Sequence, residues 1–262
     1  MMIDMRKLLT PWHGQILFML LSCACGCGLP DYEKRMDVQR ARIAEFDEYN
    51  LLLDDPIDIP VTPIKAGKPE TQPAWPFPVF LRLPKGYVPG KEKPTSAKDF
   101  PRVRYKLEDA GMNIFVAAAM EVKKGEDPGK HMYLSSTFRT RIKAALADFC
   151  FKEYAIHVSL TERSKAQLEF AGLTPYPDTA TTLAYDFAQY ENLGGGSAKV
   201  PAPFTFELYV HENAGRQVAV VFQRAARLAN MDGHKKMVEA CLGTLDISAA
   251  AASKRLAFKS LR

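Results

Sequence analysis

Apolar and polar residues alternate over several short runs in the second two-thirds of this chain. Alternation puts successive side chains on opposite faces, so each run predicts a β-strand with one buried face. The run at 114–120 is apolar throughout, which is typical of an interior strand covered on both faces. The turn at 212–215 joins two of the runs as a hairpin. The predicted strands lie at 79–83, 103–107, 114–120, 156–160, 183–187, 204–210 and 218–222.

Two other segments follow the helical period. Apolar residues recur every three or four positions across 137–150, after Ser and Thr residues that can cap a helix start. The second helix is introduced by Asn230 or Asp232 and ends near Gly243. Strands joined mostly as antiparallel neighbours, together with such helices, predict an α+β domain over 79–246, a mainly antiparallel sheet with packed amphipathic helices.

The residues before this domain differ in composition. Residues 31–53 contain neither Gly nor Pro, which predicts a helix and a helical stalk over 28–55, either solvated or folded back on the domain. Prolines are frequent in 56–78, which predicts an extended linker. The Trp-Pro-Phe-Pro run at 75–78 is alternatively a ligand for an aromatic groove in a partner. A basic tail, 247–262, ends the chain.

The predicted N-terminal helix carries a discontinuous apolar seam. Gln39 and Asn50 interrupt the apolar side of this helix, which carries Tyr32, Met36, Ile43, Phe46 and Leu53. The repeat is shorter than the three or four heptads that indicate a coiled coil. Use of this helix for assembly of a purely structural envelope component stays an open alternative.

The first 27 residues have a basic start, a short apolar run at 16–21 and small residues before three cysteines. This layout resembles the bacterial lipoprotein signal, in which a cysteine is lipidated and becomes the new N-terminus. Cys27 is the predicted lipidation site, Cys23 is the alternative, and Cys25 fits least. An ordinary cleaved signal or an uncleaved anchor is the other interpretation. The resemblance implies a protein of the bacterial cell envelope, anchored to the membrane by lipid and facing the periplasm or the surface.

The charge of the chain bears on the class of its partner, and its cysteine content bears on whether it forms a disulfide. The net charge of +5 comes from 35 basic and 30 acidic residues that are scattered along the chain, which argues against a nucleic-acid partner. Beyond the signal, Cys150 and Cys241 remain. In an oxidising compartment they either pair as a disulfide or stay free in the apolar core.

No catalytic motif stands out. The sequence has no Gly-x-Ser-x-Gly, its histidines lack metal-ligand spacing, and the Gly-rich run at 194–197 lacks the lysine and helix of a phosphate loop. We therefore predict no catalytic residue, metal site or cofactor. The leading hypothesis is a non-enzymatic binding or scaffolding domain for an envelope protein partner. The alternative is an envelope hydrolase whose site is assembled from distant segments.

One strand offers a possible binding surface. Glu207, Tyr209 and His211 share the face opposite the apolar residues of the run at 204–210. That face either takes a second helix layer or is displayed to solvent. If displayed, it suits a contact surface, because Tyr combines apolar area with a polar tip.

Two resemblances extend this interpretation. The Leu-Pro-Lys-Gly-Tyr segment at 83–87, with a late hairpin leading into a terminal helix, resembles the PsbP/Mog1-like family, which implies a small exported binding domain. The segment 31–56, after a Cys-Gly start, resembles uncharacterised lipoproteins of planctomycete bacteria. The second resemblance implies no catalytic residues.

Overall fold

The structure, a computed structural model, describes residues 29–59, 75–90, 102–107, 112–120, 135–154, 160–173, 181–191, 203–226 and 230–248. The predicted signal and almost all of the basic tail lie outside these described residues, as does the predicted strand 156–160 except for its last residue.

The described ranges contain three helices and nine strands. The helices are α1 (Leu29–Leu52), α2 (Ser135–Tyr154) and α3 (Met231–Gly243). The strands are β1 (Leu53–Ile59), β2 (Val79–Pro84), β3 (Tyr87–Pro89), β4 (Arg102–Leu107), β5 (Met112–Met120), β6 (Thr161–Ala171), β7 (Thr182–Glu191), β8 (Phe204–Asn213) and β9 (Arg216–Ala225).

Seven strands form one sheet in the order β3-β4-β5-β9-β8-β7-β6, and β1 and β2 form a separate two-stranded sheet. All neighbouring strands run antiparallel. The predicted α+β class with a mainly antiparallel sheet is therefore confirmed. The interior position of the apolar run 114–120 is also confirmed, because β5 lies between β4 and β9. The sequence analysis missed β6, an edge strand whose side chains are mostly exposed and in which only the half-buried Leu168 and Phe170 alternate with polar residues.

Helix α2 covers one face of the large sheet. Its apolar stripe, which includes Phe138 and Ile142, packs against Phe206 and other buried side chains of that face. The C-terminal end of α2 is held by a charged contact, in which Arg104 of β4 donates to both carboxylate oxygens of Glu153, at 3.1 and 2.9 Å. The other face is covered by α3 and by the β1–β2 sheet. The domain thus has a layer on each side of the sheet.

The predicted hairpin is confirmed, with a two-residue turn between β8 and β9. Ala214 and Gly215 form the turn with φ of 52° and 73°, the left-handed conformation that two-residue hairpin turns require. Glycine adopts this conformation without steric cost, whereas alanine does not. The register places Asn213 opposite Arg216, so the two long strands pair along their whole length.

The interpretation of residues 56–78 as a linker is wrong at both ends of that segment. Pro56 belongs to β1, which pairs with β2, so the domain begins no later than Leu53. The missing N–H of Pro56 is tolerated because it lies beside a register shift in a two-stranded sheet. Trp75 and Phe77 are only 7% and 2% exposed and belong to the domain's own core. They are therefore not available as a ligand for a partner's groove.

The predicted N-terminal helix is present as α1. Most of its side chains are exposed as far as Glu45, whereas Tyr49 and Leu52 pack against the core that contains α3. Arg82 of β2 donates to Asn50, which fixes the last turn of the helix to the domain. Only the C-terminal end of α1 is thus folded onto the domain. No helix in the described ranges is both long enough and apolar enough to cross a bilayer.

The two cysteines of the domain lie on opposite faces of the large sheet. Cys150 of α2 is buried in one core and Cys241 of α3 in the other, and both are free. The disulfide that the sequence left open is therefore not formed, because the sheet separates the two thiols. Burial raises the pKa of Cys150 to about 12 and raises that of Cys241 as well, so both behave as apolar side chains.

Candidate functional site

A cleft of about 410 Å³ opens between β6 and the N-terminal part of α3. Hydrogen bonds hold both ends of α3 on the rest of the domain. At the C-terminal end, Tyr185 donates to the carbonyl oxygen of Leu242 at 2.7 Å, and Leu173 donates to that of Gly243 at 2.7 Å. The lining residues are Leu168, Glu169 and Phe170 of β6, Glu207 and Tyr209 of β8, and Met231, Asp232, His234, Lys235, Val238 and Glu239 of α3.

An aromatic cluster forms the floor of the cleft and continues into the core. Tyr209 lies at its centre, with ring-centroid distances of 6.2 Å to Phe170, 5.0 Å to Phe187 and 5.9 Å to Phe222. The rings meet at angles of 45° to 84°, the tilted and edge-to-face arrangements that aromatic pairs prefer. The floor is therefore apolar and tightly packed.

A buried ion-paired cluster holds the N-terminal end of α3 on the sheet. Arg224 of β9 donates from Nε to Glu207 Oε1 at 2.6 Å, and His234 Nε2 lies 2.9 Å from Glu207 Oε2. All three side chains are less than a tenth exposed. Burial opposes the charge of Glu207, but the hydrogen bonds from His234 and Arg224 outweigh it and lower the pKa of the carboxyl below its ordinary value. Glu207 is therefore an anion with both oxygens engaged.

Tyr209 is neutral in this environment. Burial, together with the negative charges of Glu207 and Glu239, raises the pKa of its hydroxyl far above the ordinary value, and Arg224 opposes this only in part. The ring thus offers apolar area to the cleft without a phenolate charge.

The structure brings together two of the three residues predicted as a binding surface. Glu207 and Tyr209 line the cleft, whereas His211 lies outside it, with Nδ1 2.9 Å from the carbonyl oxygen of Ala184 and its ring against Tyr185. All three are less than a tenth exposed, because their face of β8 takes the second helix layer. Of the two alternatives that the strand pattern left open for this face, a helix layer or display to solvent, the structure has the helix layer.

Sequence reasoning missed the role of His234. It considered His234 only as a metal ligand, and in the described part of the chain no group of three or more His, Cys, Asp or Glu side chains could hold a metal ion. The available signal was the position of His234 one turn before Val238, on the apolar side of α3. A histidine on that side faces the sheet and needs a buried polar partner, which Glu207 supplies.

Comparison with known proteins gives weak likenesses in structure. No protein-family model matches the chain, and no curated protein matches its sequence. The chain is similar in structure to the cyanobacterial PsbP protein (CyanoP) of Synechocystis sp. PCC 6803, with 11% identity, coverage of 74% of this chain and 93% of that one, and a TM-score of 0.41. It is also similar to the Ran-binding protein Mog1p of Saccharomyces cerevisiae, with 8% identity, coverage of 78% and 91%, and a TM-score of 0.31. At these values the likenesses carry no inference about function.

Proposed function

We propose that this protein is a lipid-anchored protein of a bacterial cell envelope, whose α+β domain binds a protein partner in the cleft between β6 and α3. The cleft itself is the observation that carries the proposal. It has the volume of a binding site, an aromatic floor around Tyr209, and the exposed Met231 at its rim. Such a cleft suits one or two anchoring side chains of a partner.

A hydrolase is the second candidate, and the contact between Glu207 and His234 favours it. A carboxylate that orients a histidine is part of a nucleophilic triad. Among the described residues, however, no Ser, Thr or Cys side chain forms a hydrogen bond with the His234 ring. Glu207 is also shared with Arg224, as expected of a structural contact between helix and sheet. We therefore place binding first.

Site-specific photo-crosslinking tests the binding site. With p-benzoylphenylalanine in place of Met231, irradiation of intact cells should attach one envelope protein to the chain. A further Leu168→Arg substitution fills the cleft and should abolish this adduct. Val38 is the matched control position, because it is 48% exposed, close to the 44% of Met231, and lies on α1. The same adduct from Val38, or an adduct that persists with Leu168→Arg, would contradict the proposal.

The lipid anchor has its own test, because it rests on the small residues before the cysteines of the N-terminal segment. Metabolic labelling with an alkyne fatty acid should mark the wild-type chain. Label should disappear when Cys23, Cys25 and Cys27 are all replaced by Ala. If the label survives that triple substitution, the anchor is attached elsewhere and this part of the proposal fails.

A further inference from the structure

Strand β6, which forms one side of the cleft, has an open edge. It is the last strand in the order of the large sheet, and among the described residues only β7 pairs with it. A bulge between Glu162 and Ser164 interrupts the first part of this edge, but over 164–171 the register is regular and the sequence has no proline. Bulges and prolines are two of the devices that keep another strand from pairing with an exposed edge. Residues 164–171 lack both.

The pairing with β7 fixes which backbone groups point to this edge. Gly172 donates to the carbonyl oxygen of Thr181 at 2.6 Å, which continues the ladder between the two strands. In an antiparallel pair, alternate residues bond the neighbouring strand and the residues between them point away from it. Every second residue before Gly172 therefore also bonds β7. The residues between them, whose N–H and C=O groups point outward, include Lys165, Gln167 and Glu169.

The outward groups lie beside the cleft. Leu168 and Phe170 are half-buried on the face of β6 that packs towards α3, and both line the cleft. Further along, Gly243 at the end of α3 covers the edge, because a Cβ on it would come within 2.8 Å of the carbonyl oxygen of Ala171. The stretch of edge before Ala171 is thus the part that borders the cleft. A strand added there would place one of its side chains opposite Leu168, at the mouth of the cleft.

Given the proposed function of the cleft, on which this step rests, we propose that the protein partner inserts an extended segment that adds to β6 as an antiparallel strand. An edge strand beside an apolar cleft binds a peptide through main-chain hydrogen bonds, while the cleft selects alternate side chains. A helix has its own backbone groups bonded internally, so it leaves the outward groups of β6 without partners. Antiparallel pairing is the more stable arrangement per residue.

The side chains of β6 define the chemistry of this segment. Lys165 and Glu169 are exposed, and alternation with Leu168 places them on the face that points away from the cleft. A segment with a basic residue opposite Glu169 and an acidic residue opposite Lys165 pairs both charges. Its residue opposite Leu168 faces the cleft, where a large apolar side chain packs best. From its N-terminus, the segment is therefore basic, apolar, polar, apolar and acidic.

A short segment fits this edge better than a second copy of the chain. In the antiparallel register that pairs Lys165 with Glu169 twice, Arg163 of the second copy lies opposite Ala171. Gly243 already covers the outward carbonyl there. Because such a pair is symmetric, the same obstruction occurs at both of its ends. A segment of five residues avoids it by leaving the edge beyond Glu169.

Gln167→Pro tests the added strand through the photo-crosslink at Met231. Proline removes the outward N–H of residue 167 and leaves the bonds to β7, which the neighbouring residues make. Gln167→Thr is the matched control, because it also replaces the amide side chain but keeps the N–H. The adduct should fall at least roughly fivefold with Gln167→Pro and change less than roughly twofold with Gln167→Thr. An adduct that survives Gln167→Pro but is lost with Leu168→Arg would overturn strand addition and leave the proposed function standing.

A synthetic peptide tests the same pairing on the purified full chain in detergent, so this test does not depend on the folding of Gln167→Pro. The peptide carries the core Arg-Phe-Thr-Val-Glu between flanking threonines. N-methylation of the first, third and fifth core residues removes the N–H groups that face β6, whereas N-methylation of the second and fourth alters N–H groups that face solvent. By fluorescence polarisation, the first pattern should weaken binding at least roughly tenfold and the second less than roughly threefold.

Exchange of the two charges tests the register. A chain with Lys165→Glu and Glu169→Lys should prefer the peptide whose Arg and Glu are exchanged, whereas the wild-type chain should prefer the original. Three results would each overturn the proposal: no binding of the unmethylated peptide, equal loss from both methylation patterns, or a chain dimer that the peptide dissociates. The last would place a second copy at this edge. The adduct at Met231 in cells reports separately on the cleft.

Discussion

Substitution of Glu207 by Gln tests why α3 lies where it does. The carboxylate of Glu207 is 6% exposed and accepts hydrogen bonds from Arg224 at 2.6 Å and His234 at 2.9 Å. Gln keeps the size of the side chain but removes its charge and turns one acceptor atom into a donor. One of the two partners therefore loses its bond, and the charge of Arg224 is left without a buried counterion.

The expected loss of stability follows from this geometry. Removing one partner of a buried ion pair costs about 3–5 kcal/mol. Arg224 keeps two further acceptors, the carbonyl oxygens of Ala225 at 3.1 Å and Ala226 at 3.4 Å, so the lower end of that range applies. We expect Glu207→Gln to lower the free energy of unfolding by about 3 kcal/mol, which for a domain of this size lowers Tm by roughly 6–12 °C.

Thermal and urea unfolding followed by circular dichroism measure this loss. Glu169→Gln is the matched control, because it is the same substitution at an exposed position of β6 and should change stability by less than about 0.5 kcal/mol. A loss below about 1 kcal/mol for Glu207→Gln would refute the assignment of this cluster as the contact that holds α3.

The same contact predicts a pH dependence. The pKa of Glu207 is lower in the folded chain than its ordinary value of 4.5. Its contribution is therefore present above the ordinary pKa and is lost as the pH falls through the lowered one. The stability difference between the wild-type chain and Glu207→Gln should stay constant from about pH 7 to pH 5 and then shrink in more acidic solution. A difference that does not change down to about pH 3 would contradict this explanation.

Three other predictions concern the fold. Ala214→Gly relieves a residue held at φ 52° and should stabilise the chain by about 0.5–1 kcal/mol in urea unfolding, with a destabilising effect contradicting the turn geometry. Iodoacetamide should modify Cys150 and Cys241 only after unfolding, as read by peptide mass spectrometry, because burial raises the pKa of both thiols. A chain that starts at Val79 should unfold at lower urea concentration than one that starts at Leu29, because it lacks β1 and the buried Leu53. Equal midpoints for the two chains would restore 56–78 as a linker.

The sequence pattern predicts the interior of this fold better than its edges. Alternation identified β8 because its two faces differ in polarity, and the apolar run of β5 indicated an interior strand. It could not identify β6, whose outer position leaves most side chains exposed. It also misjudged Pro56, because the tolerance of a proline in a strand depends on which neighbour that strand has.

Much of the candidate site was beyond sequence reasoning for a related reason. Glu207 and Tyr209 were identified from one strand, since two residues apart they share a face. Their partners lie on other elements, Arg224 on β9 and His234 on α3, and a single sequence does not state which segments meet. In the structure α3 covers the face that carries Glu207 and Tyr209, and the strand pattern alone could not decide between cover and exposure.

Two charged contacts each hold a helix on the large sheet, and only one of them borders the cleft. Arg104 and Glu153 hold α2 on the face of the sheet opposite the cleft, so that contact stabilises the fold without bordering the cleft. Glu207 and His234 hold α3 on the face of the sheet that carries the cleft, and both side chains line the cleft. The width of the cleft thus depends on the same bonds that keep α3 on the sheet. A partner that inserts a side chain beside Tyr209 meets a floor that is already packed, so it gains binding energy without the cost of ordering that floor.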